Sequence, residues 1–126
     1  GRVDEKFVLH AFRKGAPLVL VSGCHFAACH YISAVTWTQR RVEKLWNKLE
    51  RWGIRPERLQ LEGISAAEGQ KFAKVMRELE QMRKQVTEEE VEQTMAILEK
   101  EEEKLRARKA KKAAAAKEQS EQTASA

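Results

Sequence analysis

Hydrophobic positions fall into discrete blocks whose spacing changes along the chain. Phe7, Val8, Ala11 and Phe12 lie on one helical face behind Asp4, which can cap, and ahead of Gly15, which stops the helix. Pro17-Leu-Val-Leu-Val-Ser22 is a continuous aliphatic run of strand length, the pattern of a strand covered on both faces, as in a parallel sheet. After CHFAACHYISAV, Thr36-x-x-Gln39 has the form of a capping box, and Val42, Leu45, Trp46, Leu49 and Trp52 then make one apolar stripe as far as Gly53. That spacing makes Trp37, Trp46 and Trp52 core residues. Arg58-Leu-Gln-Leu-Glu62, opened by Pro56, alternates and predicts a second, half-exposed strand. Ser65-x-x-Glu68 precedes a stripe of Phe72, Val75, Met76, Leu79 and Met82, and Thr87-x-x-Glu90 starts a helix with Val91, Met95 and Leu98 inward.

These blocks predict an α/β fold: a small, open, mostly parallel sheet flanked by helices, followed by a C-terminal helical tail. Residues 1–86 form the domain, and 87–126 a helical to disordered basic tail that should fray from about Glu99. Two strands make a marginal sheet. An N-terminal strand is therefore expected to be missing, supplied by sequence ahead of Gly1 rather than by another chain. The chain opens on Gly1, not Met, and without an apolar leader, as expected of a fragment or cut domain.

Composition narrows the functions. No run approaches the roughly 20 apolar residues of a membrane span, so direct membrane insertion is not expected. The net charge of +5 is uneven, with most of the excess in LRARKAKKAAAAK at 105–117, whereas all the aromatic residues lie upstream. A nucleic-acid-binding surface would interleave the two, and no nucleic-acid partner is expected. Two cysteines make no disulfide framework, and the expected location is cytoplasmic.

The dense chemistry lies in Gly23-Cys24-His25-Phe26-Ala27-Ala28-Cys29-His30-Tyr31, just past the end of the first strand, where open α/β sheets place ligands. Thiolates suit iron–sulfur clusters, zinc or copper(I). Cys-x4-Cys is one element of the plant-type ferredoxin pattern, although an ordinary cluster needs four thiolates. Cys24, Cys29 and a histidine are also the ligand types of a zinc site. Cys24-x4-Cys29-His30 is an expanded form of the covalent-haem signal. Alternatively, both cysteines are small space-filling core residues. His10, on the first helix, reads as a surface or boundary residue. Nothing resembles a nucleophile–base pair, so no catalytic site is expected within the domain.

GRVD at 1–4, AFRKGAPLVLVSGC at 11–24, CHY at 29–31, RRV at 40–42, GIRPERLQLE at 53–62 and ISAAEGQKFA at 64–73 occur as ordered blocks. Together they resemble the delta-subunit family of methyl-viologen-reducing hydrogenase, also found fused in heterodisulfide-reductase-like proteins. The tail is similar to the end of one such fusion, the B subunit of the quinone-interacting membrane-bound oxidoreductase complex. The resemblance implies an electron carrier with a 2Fe–2S cluster. Cys24 and Cys29 would be two of its ligands, with the remaining cysteines upstream of this chain. His25, His30 and Tyr31 would shape the cluster's surroundings. The implied partners are a heterodisulfide-reductase-like flavoprotein and hydrogenase or membrane quinone-oxidoreductase subunits. Ala27-Ala28 stands where that family usually carries Gly-Asp. The contrasting expectation is a non-redox docking or scaffold module with inert cysteines.

Overall fold

The structure, a computed structural model, describes residues 1–124. The chain runs α1 (Glu5–Arg13), β1 (Val19–Gly23), α2 (Ala34–Arg51), β2 (Leu59–Gly63), α3 (Gly69–Gln85) and α4 (Glu88–Ala124), with short 3-10 turns at Phe26–Ala28 and Pro56–Arg58. Among the described residues the sheet has two parallel strands in the register Val19↔Leu59 to Gly23↔Gly63. Parallel neighbours need a crossover, and α2 provides it. The fold is the α/β arrangement that the pattern predicts.

The helix starts are set by local hydrogen bonds. Asp4 Oδ1 accepts the Lys6 N–H at 2.9 Å and caps α1, which Gly15 ends in the left-handed region at φ 89°. Thr87 Oγ1 likewise accepts the Glu90 N–H at the start of α4. The capping box expected at Thr36 does not form. The turns of the preceding loop (Ile32 N–H to Cys29 O, Ala34 N–H to Tyr31 O) start α2 at Ala34, and Gln39 reaches forward to Glu43 instead of back.

Val8 and Phe12 of α1, Val21 of β1, Val42, Leu45 and Leu49 of α2, Ile54 between α2 and β2, Leu59 of β2 and Leu98 of α4 form the core. Trp46 reaches it with its indole N–H on the Leu59 carbonyl at 2.8 Å, and Trp52 packs against its edge. Trp37 does not: it is 52% exposed in the first turn of α2, with the Arg40 guanidinium over its ring. Phe7 is exposed as well, because α1 turns Val8 and Phe12 inward.

The stripe of α3 is only partly covered. Val75 is buried, whereas Phe72 and Met76 are about half exposed. Adjacent strands lie only about 4.8 Å apart, whereas a helix is about 10 Å wide, so two strands cannot cover a helix on each face. A shallow groove of about 510 Å³ remains between Leu18 and Leu20 on one side and Met76 and Leu79 on the other. The tail is helical as far as Ala124. Good helix formers and pairs such as Lys104–Glu101 and Arg106–Glu102 sustain it. Ser125 and Ala126, part of the tail expected to fray, lie outside the described residues. No helix among the described residues is long and apolar enough to cross a membrane.

Candidate metal centre

β1 ends at Gly23, and the chain leaves the sheet directly into Cys24. The exits of the two strands are stitched together where Ile64 N–H donates to the Gly23 carbonyl at 2.8 Å. Ala28 N–H then closes a tight turn on the His25 carbonyl at 3.1 Å. That turn folds the loop back, so Cys24, half-buried, and Cys29, buried, meet through their thiols.

The two sulfurs are inequivalent. Hydrogen bonding to Cys29 and burial push the Cys24 thiol up from its ordinary value. Burial also pushes Cys29 up, but donors from the Cys24 thiol and from the N–H groups of Tyr31 and Val35 outweigh it and hold Cys29 below the ordinary thiol range. Val35 lies in the first turn of α2, where helical N–H groups have no partner within the helix, so the Cys29 sulfur sits where anionic sulfur is stabilised. Gly1 packs against Ala34, and its carbonyl accepts from the Arg41 guanidinium.

The other expected residues take separate places. His25 turns away to Glu68, with Nε2 2.6 Å from Oε2. Its Nδ1 lies above Gly63, where an added Cβ would come within 3.1 Å. His30 stacks edge-on with Tyr31, ring centroids 5.2 Å apart, and both are exposed. The structure thus joins Cys24 with Cys29 and links His25 to a second loop, while His30 and Tyr31 stand at the surface.

Among the described residues no group of three or more His, Cys, Asp or Glu side chains could hold a metal ion. The donor set is two adjacent sulfurs backed by amide N–H groups. It would supply two of the four thiolates that an ordinary iron–sulfur cluster needs. It does not fit a complete tetrahedral zinc site, which needs four ligands.

Two contributors are not legible as site residues in the sequence pattern. Val35 is hidden because its N–H matters only once the helix starts at Ala34 and not at Thr36. Glu68 is visible only as half of a capping box. The reciprocal bond does form, Ser65 N–H to Glu68 Oε2 at 2.8 Å, but Glu68 itself precedes the helix. The pair closes a turn ahead of α3 and aims the carboxylate at His25.

Comparison with known proteins gives the family. The family model described as methyl-viologen-reducing hydrogenase, delta subunit, matches residues 1–88. The iron-sulfur subunit of the F420-non-reducing hydrogenase of Archaeoglobus profundus is 45% identical over 80 residues, 64% of this chain and 58% of that relative. The vhc iron-sulfur subunit of the F420-non-reducing hydrogenase of Methanococcus voltae is 43% identical over 79 residues, 63% of this chain and 55% of its own length. A large subunit relative of a different kind comes from Methanosarcina acetivorans, where a ferredoxin/F(420)H(2)-dependent CoB-CoM heterodisulfide reductase chain is 40% identical over 77 residues, 61% of this chain but 10% of that protein. The chain spans a little over half the length of the first two relatives. With the family model matching from Gly1 through the cysteine loop, both strands and α3, this chain belongs to the methyl-viologen-reducing hydrogenase delta-subunit family.

Proposed function

We propose that the chain is part of an iron–sulfur electron-transfer component, in which Cys24 and Cys29 are two of the thiolate ligands of a 2Fe–2S cluster. The observation that carries this reading is the meeting of the two thiols at the end of β1, with the Tyr31 and Val35 N–H groups directed at the Cys29 sulfur. Amide donors to cluster sulfurs are a recognised means of setting a reduction potential. When bound, the cluster supplies one-electron transfer. The residues of this chain hold it, limit access of water through the buried Cys29 side, and leave His30 and Tyr31 at the exposed rim.

The remaining ligands come from outside residues 1–126. Because Gly1 lies against Ala34 beside the site, residues joined ahead of it in a longer polypeptide would emerge next to the two thiols. Residues 1–86 form the redox unit in this reading and 87–126 its basic tail, of which the helix Glu88–Ala124 is rooted by Thr94 and Leu98. The names of the relatives, hydrogenase and heterodisulfide reductase, support an electron-transfer role in such complexes; the reading adds a relay from a hydrogenase or quinone-linked module to a heterodisulfide-reductase-like flavoprotein. Free thiols suit a reducing compartment, the cytoplasm in this reading.

The test is iron and sulfide analysis of the complete protein prepared without oxygen, with electron paramagnetic resonance of the reduced sample. Cys24→Ser and Cys29→Ser should each abolish the signal, and an unchanged signal would remove both residues from the site. The isolated 126-residue chain should retain little iron. A complete protein free of metal would leave a docking module with inert cysteines.

A further inference from the structure

One carboxylate oxygen joins the two loops that leave the sheet. Glu68 Oε2 accepts the Ser65 N–H at 2.8 Å and lies 2.6 Å from His25 Nε2. His25 directly follows Cys24, and its ring is seated over Gly63, close enough that a Cβ there would lie 3.1 Å from Nδ1. Beneath it, Ile64 N–H holds the Gly23 carbonyl and Lys71 Nζ holds the Gly63 carbonyl at 2.6 Å. The Cys24 side of the loop is therefore fixed by β1 behind it and by an imidazole anchored to the loop after β2. The Cys29 side is held separately, by the turn leading into α2, in which Ile32 N–H donates to the Cys29 carbonyl at 3.0 Å. Without the imidazole anchor, the span from Cys24 to Ala28 would be tied only by its own short turn.

We infer that Glu68 is a positioning residue for the cysteine pair: through His25 it clamps the Cys24 side of the loop against the Cys29 side, and it places a fixed negative charge beside the site. The inference rests on reading the two thiols as cluster ligands. The Ser65 N–H and His25 keep this carboxylate ionised, down at about 2, so the charge is present at neutral pH. A negative charge near a cluster disfavours the added electron, and outer partners of metal ligands commonly tune both affinity and potential.

Two measurements test this separately from the cluster assignment. In the complete protein stripped of metal, amide hydrogen exchange over residues 24–33 should become several-fold faster in Glu68→Ala, which removes the clamp. Exchange around Leu45 and Leu49 should stay unchanged. Glu68→Gln keeps an oxygen that can accept from Ser65 and His25, and should retain most of the protection.

In the complete protein, Glu68→Ala should lower iron affinity roughly tenfold or more. Glu68→Gln should keep its iron and its resonance line shape but move the reduction potential upward, because the reduced cluster no longer faces an anion. Glu80→Gln, at the Arg83 ion pair on α3, should change neither. A wild-type protein without iron would overturn the cluster reading, and the exchange experiment would still decide the clamp. Exchange over 24–33 unchanged in Glu68→Ala, or wild-type iron affinity and potential in both Glu68 variants, overturns the inference.

Discussion

Arg58 is as deeply buried as its neighbour Leu59, at 1% exposure each. Its guanidinium donates to the Pro17 carbonyl at 2.7 Å, to the Ala16 carbonyl at 3.3 Å and to Thr94 Oγ1, and lies 5.2 Å over the Phe12 ring. One side chain thus ties the turn before β1, the start of β2 and the root of α4. No buried side-chain nitrogen or oxygen among the described residues lacks a partner, so the cost of burying this charge is offset by its hydrogen bonds. Arg58→Ala should lower unfolding free energy by about 3 kcal/mol, since two carbonyls and a hydroxyl lose their donor. Arg58→Lys should recover less than half, because an ammonium lacks the planar fork that reaches all three. Urea denaturation measures both, and a loss under about 1 kcal/mol for the alanine variant would show the network to be dispensable. An arginine opening an alternating strand reads as an exposed residue, and nothing in its neighbours says otherwise.

At the scale of elements, the helices differ in how they are held. α2 sits on the core by Val42, Leu45 and Leu49. α4 is rooted by Leu98 and Thr94 together with a two-pronged ion pair, Arg55 Nε and Nη2 on the Glu90 carboxylate at 2.7 and 2.8 Å. Hydrogen bonding from Arg55 holds Glu90 below the usual carboxylate range against the opposing effect of burial, and the charges of Arg55 and Arg58 add to it. The native carboxyl therefore takes up a proton less readily than the unfolded one. Its contribution is complete above the ordinary value of 4.5 and is lost as pH falls through the lower native value. The melting-temperature difference between wild type and Glu90→Gln should be constant near neutrality and shrink in acid. A difference that stayed flat into strong acid would show that the pair adds nothing. The stripe of α2 was legible because it meets a filled core, whereas of the α4 residues expected inward only Leu98 is buried and Met95 is exposed. The stripe of α3 was legible as a helix but not as a half-covered one, since Phe72 and Met76 lack a covering layer that periodicity does not report.

The whole molecule is a small α/β body with a helical arm projecting from it. Beyond Lys104 the arm buries nothing among the residues whose exposure is described, and it carries most of the excess positive charge. Truncation after Lys104 should leave stability within about 0.5 kcal/mol of the full chain. Truncation after Val91, which removes Thr94 and Leu98, should cost about 3 kcal/mol or more. Denaturant melts of the two fragments check this, and equal losses would mean that the distal arm also packs.

Periodicity and capping chemistry by themselves determined the order of helices and strands, the parallel pairing and the gathering of both cysteines into one loop. Each of these depends on interactions within a few residues, or on a face that must be buried somewhere. Only the tertiary structure decided that His25 turns to Glu68 and not to the thiols, and that Arg58 lies inside while Trp37 lies outside. Those outcomes turn on which distant backbone groups come within hydrogen-bond reach once β1 and β2 pair. Spacing along a single chain does not encode that distance.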